Sequence, residues 1–223
     1  MNYKEVKRGV LTDEATRYSQ GIALVGNFVD PIKFTDQERR VLIGDGAVLY
    51  LPTGETIKGQ REAGRPFWNI TDGFIRAGKN RLTEFPSRRI EVAIYPDPER
   101  FFVPDTSKKT LDQQIALIEH DAQSLRERLG LSNIGEIIPE VPEVTEVLFR
   151  HFDATKVRIL GPDYRRDRYW SYVRTSTPTT RLGSRVAFVG YLSVEVGLDV
   201  GSWDRGDMSF LHAARWVVPT GTR

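Results

Sequence analysis

Between Thr110 and Gly130 apolar residues recur at Leu111, Ile115, Ile118, Ala122, Leu125 and Leu129. These spacings of four and three place them on one helical stripe, and the element predicted here is a long amphipathic α-helix. Thr110-Leu111-Asp112-Gln113 has the form of a capping box, in which hydroxyl and amide satisfy open backbone donors. Gly130 stands where a left-handed residue would end the helix. The opposite face, with Gln114, Asp121 and Arg128, is expected to be solvated.

The rest of the chain offers mostly short apolar runs broken by Gly, Pro, Ser and Thr. Gly21 to Gly26 is too brief for a helix and suits a buried strand. Val41-Leu42-Ile43 and Ala47 to Leu51 flank Asp45-Gly46, a pair that accepts the positive φ angles of a two-residue turn, so a β-hairpin is expected there. Thr56 to Gly64 is polar enough for an exposed loop. Phe67-Trp68-Asn69-Ile70 should re-enter the core, and Arg89 to Tyr95 reads as a strand stopped by Pro96-Asp97-Pro98.

Pro139 and Pro142 each deny a backbone donor, which predicts extended chain over 137–144. That stretch is either a boundary between two domains or an internal turn of one. Beyond it, Val157 to Leu160, Tyr169 to Val173, Val186 to Val189, Leu198 to Val200 and Ala214 to Val218 are spaced as β-structure. The expected fold class is therefore α+β. On the two-domain reading, residues 1–138 form a mixed α/β region and residues 145–223 a β-rich C-terminal domain.

Cohesion has to come from packing, because the 223 residues include no cysteine and hence no disulfide, thiolate zinc site or cysteine nucleophile. With 39% hydrophobic and 28% charged residues the composition is that of an ordinary folded protein. Lys and Arg total 32 against 30 Asp and Glu, a formal charge of +2, so no global field would hold the chain on nucleic acid or an anionic membrane. The first residues lack the apolar stretch of a signal peptide and no run of about 18 apolar residues occurs, so a cytoplasmic location without membrane partners is expected.

No assembled catalytic motif is present. The chain has neither the phosphate loop with its lysine nor the three-glycine dinucleotide fingerprint. Ser184 and Ser202 each follow a glycine but lack the second glycine of a nucleophile elbow. His120 is expected on the helix surface, and His212 as a packed or hydrogen-bonded residue. His151 and Asp153 offer an imidazole and a carboxylate that Asp199 or Asp204 could complete as a metal site for hydrolysis, although two ligands do not make one. Arg165, Arg166, Arg168, Tyr169 and Trp170 mix guanidinium groups with rings, the combination that grips phosphates and stacks on unpaired bases. Single-stranded nucleic-acid binding is thus an alternative function. Asp163 and Asp167 interrupt that positive field.

The order of Tyr169 to Thr175, Ser184 to Val189, Val200 to Arg205 and Ala213 to Pro219 resembles the closing strands of the C-type-lectin-like fold, as in formylglycine-generating-enzyme-like and tropism-determinant proteins. The likeness covers about 50 residues. It implies framework positions for Trp170 and Arg174, an anchor for the closing strand in Arg215, and a ligand-facing loop from Gly201 to Leu211. The cysteines of the family's enzymatic members are missing, which excludes their oxidase role. What remains is a non-catalytic binding or interaction protein for a protein or small-molecule ligand, with no cofactor, centred on Trp203, Asp204 and Arg205. Exposed aromatics and arginines supply much of the energy at such surfaces.

Overall fold

A computed structural model describes residues 30–70, 82–160, 172–180, 183–193 and 197–220. The expected strand at Gly21 to Gly26 lies outside them. Residues 31–223 group as one compact unit. Its class is α+β, with helices and two four-stranded sheets among the described residues.

The first element corrects the hairpin expected around Asp45-Gly46. Val41, Leu42 and Ile43 belong to helix α1 (Asp36–Gly44), and only the second arm is a strand, β1 (Val48–Tyr50). Thr35 decides this. Its hydroxyl accepts from the Glu38 amide at 3.2 Å while the Glu38 carboxylate accepts from the Thr35 amide at 2.7 Å, a capping box that starts the helix at Asp36, ahead of the apolar run. Asp45-Gly46 then serves as the helix exit, with Gly46 at φ 93. Thr56 likewise caps a short helix, α2 (Ile57–Glu62), where an exposed loop was expected.

Strand β2 (Phe67–Ile70) follows, then β3 (Val92–Ile94) and the single turn α3 (Pro98–Phe101). The long helix α4 (Leu111–Leu129) has the expected Thr110–Gln113 capping box and ends at Gly130 with φ 65. Leu111, Ile118, Ala122 and Leu125 of its stripe are buried, whereas Ile115 is exposed.

After β4 (Ile134–Glu136) comes helix α5 (Val141–Thr155), in place of the extended chain predicted over its first residues. Pro139 stays outside the helix. Pro142 sits in the first turn, where its missing N–H is one the helix would leave open anyway. The remaining elements are β5 (Tyr172–Pro178), β6 (Arg185–Ser193), β7 (Gly197–Asp204) and β8 (Val217–Pro219).

One sheet has the order β1-β3-β8-β4, all antiparallel, so the closing strand β8 lies between two earlier ones. The other has the order β2-β7-β6-β5, with only β2 and β7 parallel. Strand alternation splits the core around the first sheet. Val92, Ile94, Trp216 and Val218 face a cluster with Val144 and Leu148 of α5 and Val189 and Val200 of the second sheet. Ala93, Tyr95 and Val217 face the other way, against Leu42 of α1 and Leu125 of α4. The 139–144 stretch therefore opens a helix inside one core, which draws on residues from Ile57 to Val218. Among the described residues no helix is long and apolar enough to cross a membrane.

Candidate functional site

β7 leaves its sheet at Asp204 and the chain turns through Arg205-Gly206 into a loop that runs to Leu211. Within the eight residues 203–210, Trp203, Met208 and Phe210 are exposed by 40%, 63% and 56%. The other large exposed apolar side chains among the described residues, such as Ile32, Ile43 and Val157, are dispersed along the chain. Trp203 stands near the end of β7, and Met208 and Phe210 in the loop that follows it.

The loop is held from beneath by Arg174 of β5, whose side chain is fully buried. Its Nη1 donates to the Arg205 carbonyl at 3.2 Å; Nη2 reaches the Asp207 carbonyl at 3.0 Å, the Ser209 hydroxyl at 2.7 Å and the Lys109 carbonyl at 3.3 Å. Burial pushes its pKa down, and the Asp207 and Asp204 charges oppose that shift. A guanidinium suits this place because its planar fork presents donors in several directions at once.

Further bonds tie the loop to the start of α4. The Arg205 carbonyl accepts from the Leu111 amide at 3.1 Å, and the Arg205 guanidinium donates to Asp112 at 2.6 Å. Gln114, expected in the solvated face, is buried and donates through Nε2 to the carbonyls of Leu211 and Thr106, both at 2.8 Å. The Trp203 indole N–H donates to Asp207 at 2.9 Å, and Asp204 accepts from the Gly206 amide at 2.8 Å. Of the expected ligand-binding residues, Trp203 and Asp204 are exposed and Arg205 is half-buried, each bonded to a different neighbour. Met208 and Phe210 escaped the sequence reading. Their signal was the pair of large apolar residues flanking Ser209 in a polar connection between strands.

The other candidate residues fall elsewhere. Arg165, Arg166, Arg168, Tyr169 and Trp170 lie outside the described residues. His151 is buried on α5, its Nδ1 2.8 Å from the Tyr50 hydroxyl, and burial pushes its pKa down. Asp153 is exposed and paired with Arg65 at 2.5 Å, which holds its carboxyl below the usual range. Asp199 is buried on β7; burial raises its pKa, and a hydrogen bond from Tyr172 opposes the rise. Among the described residues no group of three or more His, Asp or Glu side chains is placed to hold a metal ion. His120 is exposed, and the His212 ring lies 4.7 Å from that of Phe102.

A second polar cluster lines a cleft of about 400 Å³ beside the middle and last turn of α4. Asp45, at the end of α1, accepts from Arg128 at 2.5 Å and from Arg100 at 2.6 Å. Burial acts to raise its pKa, but hydrogen bonds, first that from Arg128, outweigh this and hold it at about 2. Arg215, two residues before β8, donates Nε and Nη2 to Asp121 at 2.8 and 2.9 Å. Asp121 and Arg128, expected to be merely solvated, are therefore structural partners. Behind them Glu136 ends β4 with a fully buried side chain, 3.6 Å from Arg215 Nε, and neither carboxyl oxygen is hydrogen-bonded. Burial, aided by the Asp121 charge, pushes it up to about 9.

No family model matches this chain, and neither the curated proteins nor the solved structures contain a match to it.

Proposed function

We propose that the chain is a non-catalytic interaction protein whose contact surface is the 203–210 loop. The observation that carries this reading is the combination of three exposed apolar side chains with the buried Arg174 fork beneath them. A loop ordered before binding loses little entropy on contact, so its apolar area counts more fully toward affinity. Trp203, Met208, Phe210 and Arg205 are residue types favoured at the centres of protein interfaces. The resemblance to the C-type-lectin-like fold points the same way, because that fold carries recognition loops on a rigid sheet. The partner proposed is an apolar protein segment, since the side chains exposed there, Trp203, Met208 and Phe210, are large and apolar.

Selection of random peptides displayed on phage against the immobilised chain tests this. Convergent peptides are expected to carry large apolar residues and to lose at least about tenfold in affinity to Trp203→Ala, equivalent to about 1.4 kcal/mol. Peptides that bind the variant as well as the parent, or a selection without convergence, would count against the loop.

A further inference from the structure

Three guanidinium groups, those of Arg100, Arg128 and Arg215, meet around one cleft of about 400 Å³, toward the opposite end of α4 from the 203–210 loop. That volume falls in the range of small-ligand sites. Two carboxylates, Asp45 and Asp121, pair with the three guanidinium groups. The third acid within reach, Glu136, is fully buried without a hydrogen bond to either oxygen, and burial keeps it protonated at neutral pH. Three guanidinium groups thus face two directly paired carboxylates around the cleft.

Each arginine commits only part of its donor fork. Arg100 and Arg128 each spend two N–H groups on Asp45, and Arg215 spends three on Asp121 and the Arg100 carbonyl. A guanidinium has five, so all three retain donors. Arg215 is only 12% exposed, which weakens the solvent screening of its charge. Arg128, half exposed, can turn from Asp45 without disturbing the core. Ser124 adds a hydroxyl on the same wall of the cleft.

We propose that this cleft binds a tetrahedral oxyanion, inorganic phosphate or the phosphate group of a small ester, held between Arg100, Arg128 and Arg215. Guanidinium forks match the oxygen spacing of phosphate, and the donors not spent on Asp45 and Asp121 are the ones an oxyanion would take. The site is independent of the loop.

The test is titration of the intact chain with inorganic phosphate at pH 7, read by the side-chain Nε–H NMR signals of the arginines, with sodium chloride at matched ionic strength as the control. A saturable shift at Arg100 and Arg215 is expected, with a midpoint on the order of 1 mM. Arg128→Gln should weaken it at least about tenfold, while Arg61→Gln, on the exposed face of α2, should leave it unchanged. An unaltered backbone spectrum shows that the variants remain folded. No saturable shift, a shift reproduced by chloride, or equal binding by Arg128→Gln would overturn the proposal.

Discussion

Arg174 donates to the Ser209 hydroxyl at 2.7 Å, a bond between the interior of β5 and the underside of the exposed loop. Replacing Arg174 with Ala would leave the Asp207 carbonyl without its donor, while the Arg205 carbonyl keeps the Leu111 amide and the Ser209 hydroxyl the Leu211 amide. An unpaired buried polar group costs about 1–3 kcal/mol, and a loss of that size is expected. For a chain of this size that lowers Tm by about 2–12 °C. Calorimetry measures the loss, and faster hydrogen exchange at the Trp203 indole N–H in the folded variant would show that its bond to Asp207 has loosened.

Glu136 should make stability depend on pH. Its folded pKa of about 9 lies above the ordinary 4.5, so between those values the folded chain keeps a proton that the unfolded chain has released. Stability from this group is complete below about pH 4.5 and declines as pH rises to about 9. Glu136→Gln mimics the protonated acid and removes the decline. Thermal melts should show the variant equal to the parent near pH 4.5 and several degrees more stable at pH 8; parallel curves would show that Glu136 does not titrate in this way.

Strands β6 and β7 depend on a glycine beneath an aromatic ring. Phe188 lies opposite Gly201, and a Cβ at Gly201 would strike that ring. Gly201→Ala should cost about 1–3 kcal/mol by overpacking. Denaturant titration of a double-mutant cycle with Phe188→Leu measures the coupling, and the smaller side chain should recover part of the loss.

What the sequence made legible was decided locally. Helix α4 follows from its stripe and caps, and β6 and β7 follow from short runs between turns. The hairpin expectation at Asp45-Gly46 failed because a cap ten residues upstream at Thr35 outweighed a good turn pair. The 137–144 expectation failed because a proline in the first helical turn costs nothing there. Trp203, Asp204 and Arg205, singled out as neighbours in sequence, stand at the end of β7 and in the turn after it. Arg174 as their support, and the meeting of Asp45, Asp121, Glu136 and Arg215, were not legible in the sequence, since these join residues about 30 to 170 positions apart in the chain.

The most direct measurement is photo-crosslinking of the intact chain in its native cell extract, with a benzophenone side chain at Met208 and, for comparison, at Glu62 on the exposed face of α2. The expected result is one discrete adduct from position 208 that mass spectrometry assigns to a protein partner and that Phe210→Ser or Trp203→Ala abolishes without unfolding the chain. No discrete adduct at 208, or the same adducts from position 62, would contradict the assignment of the 203–210 loop as the contact surface.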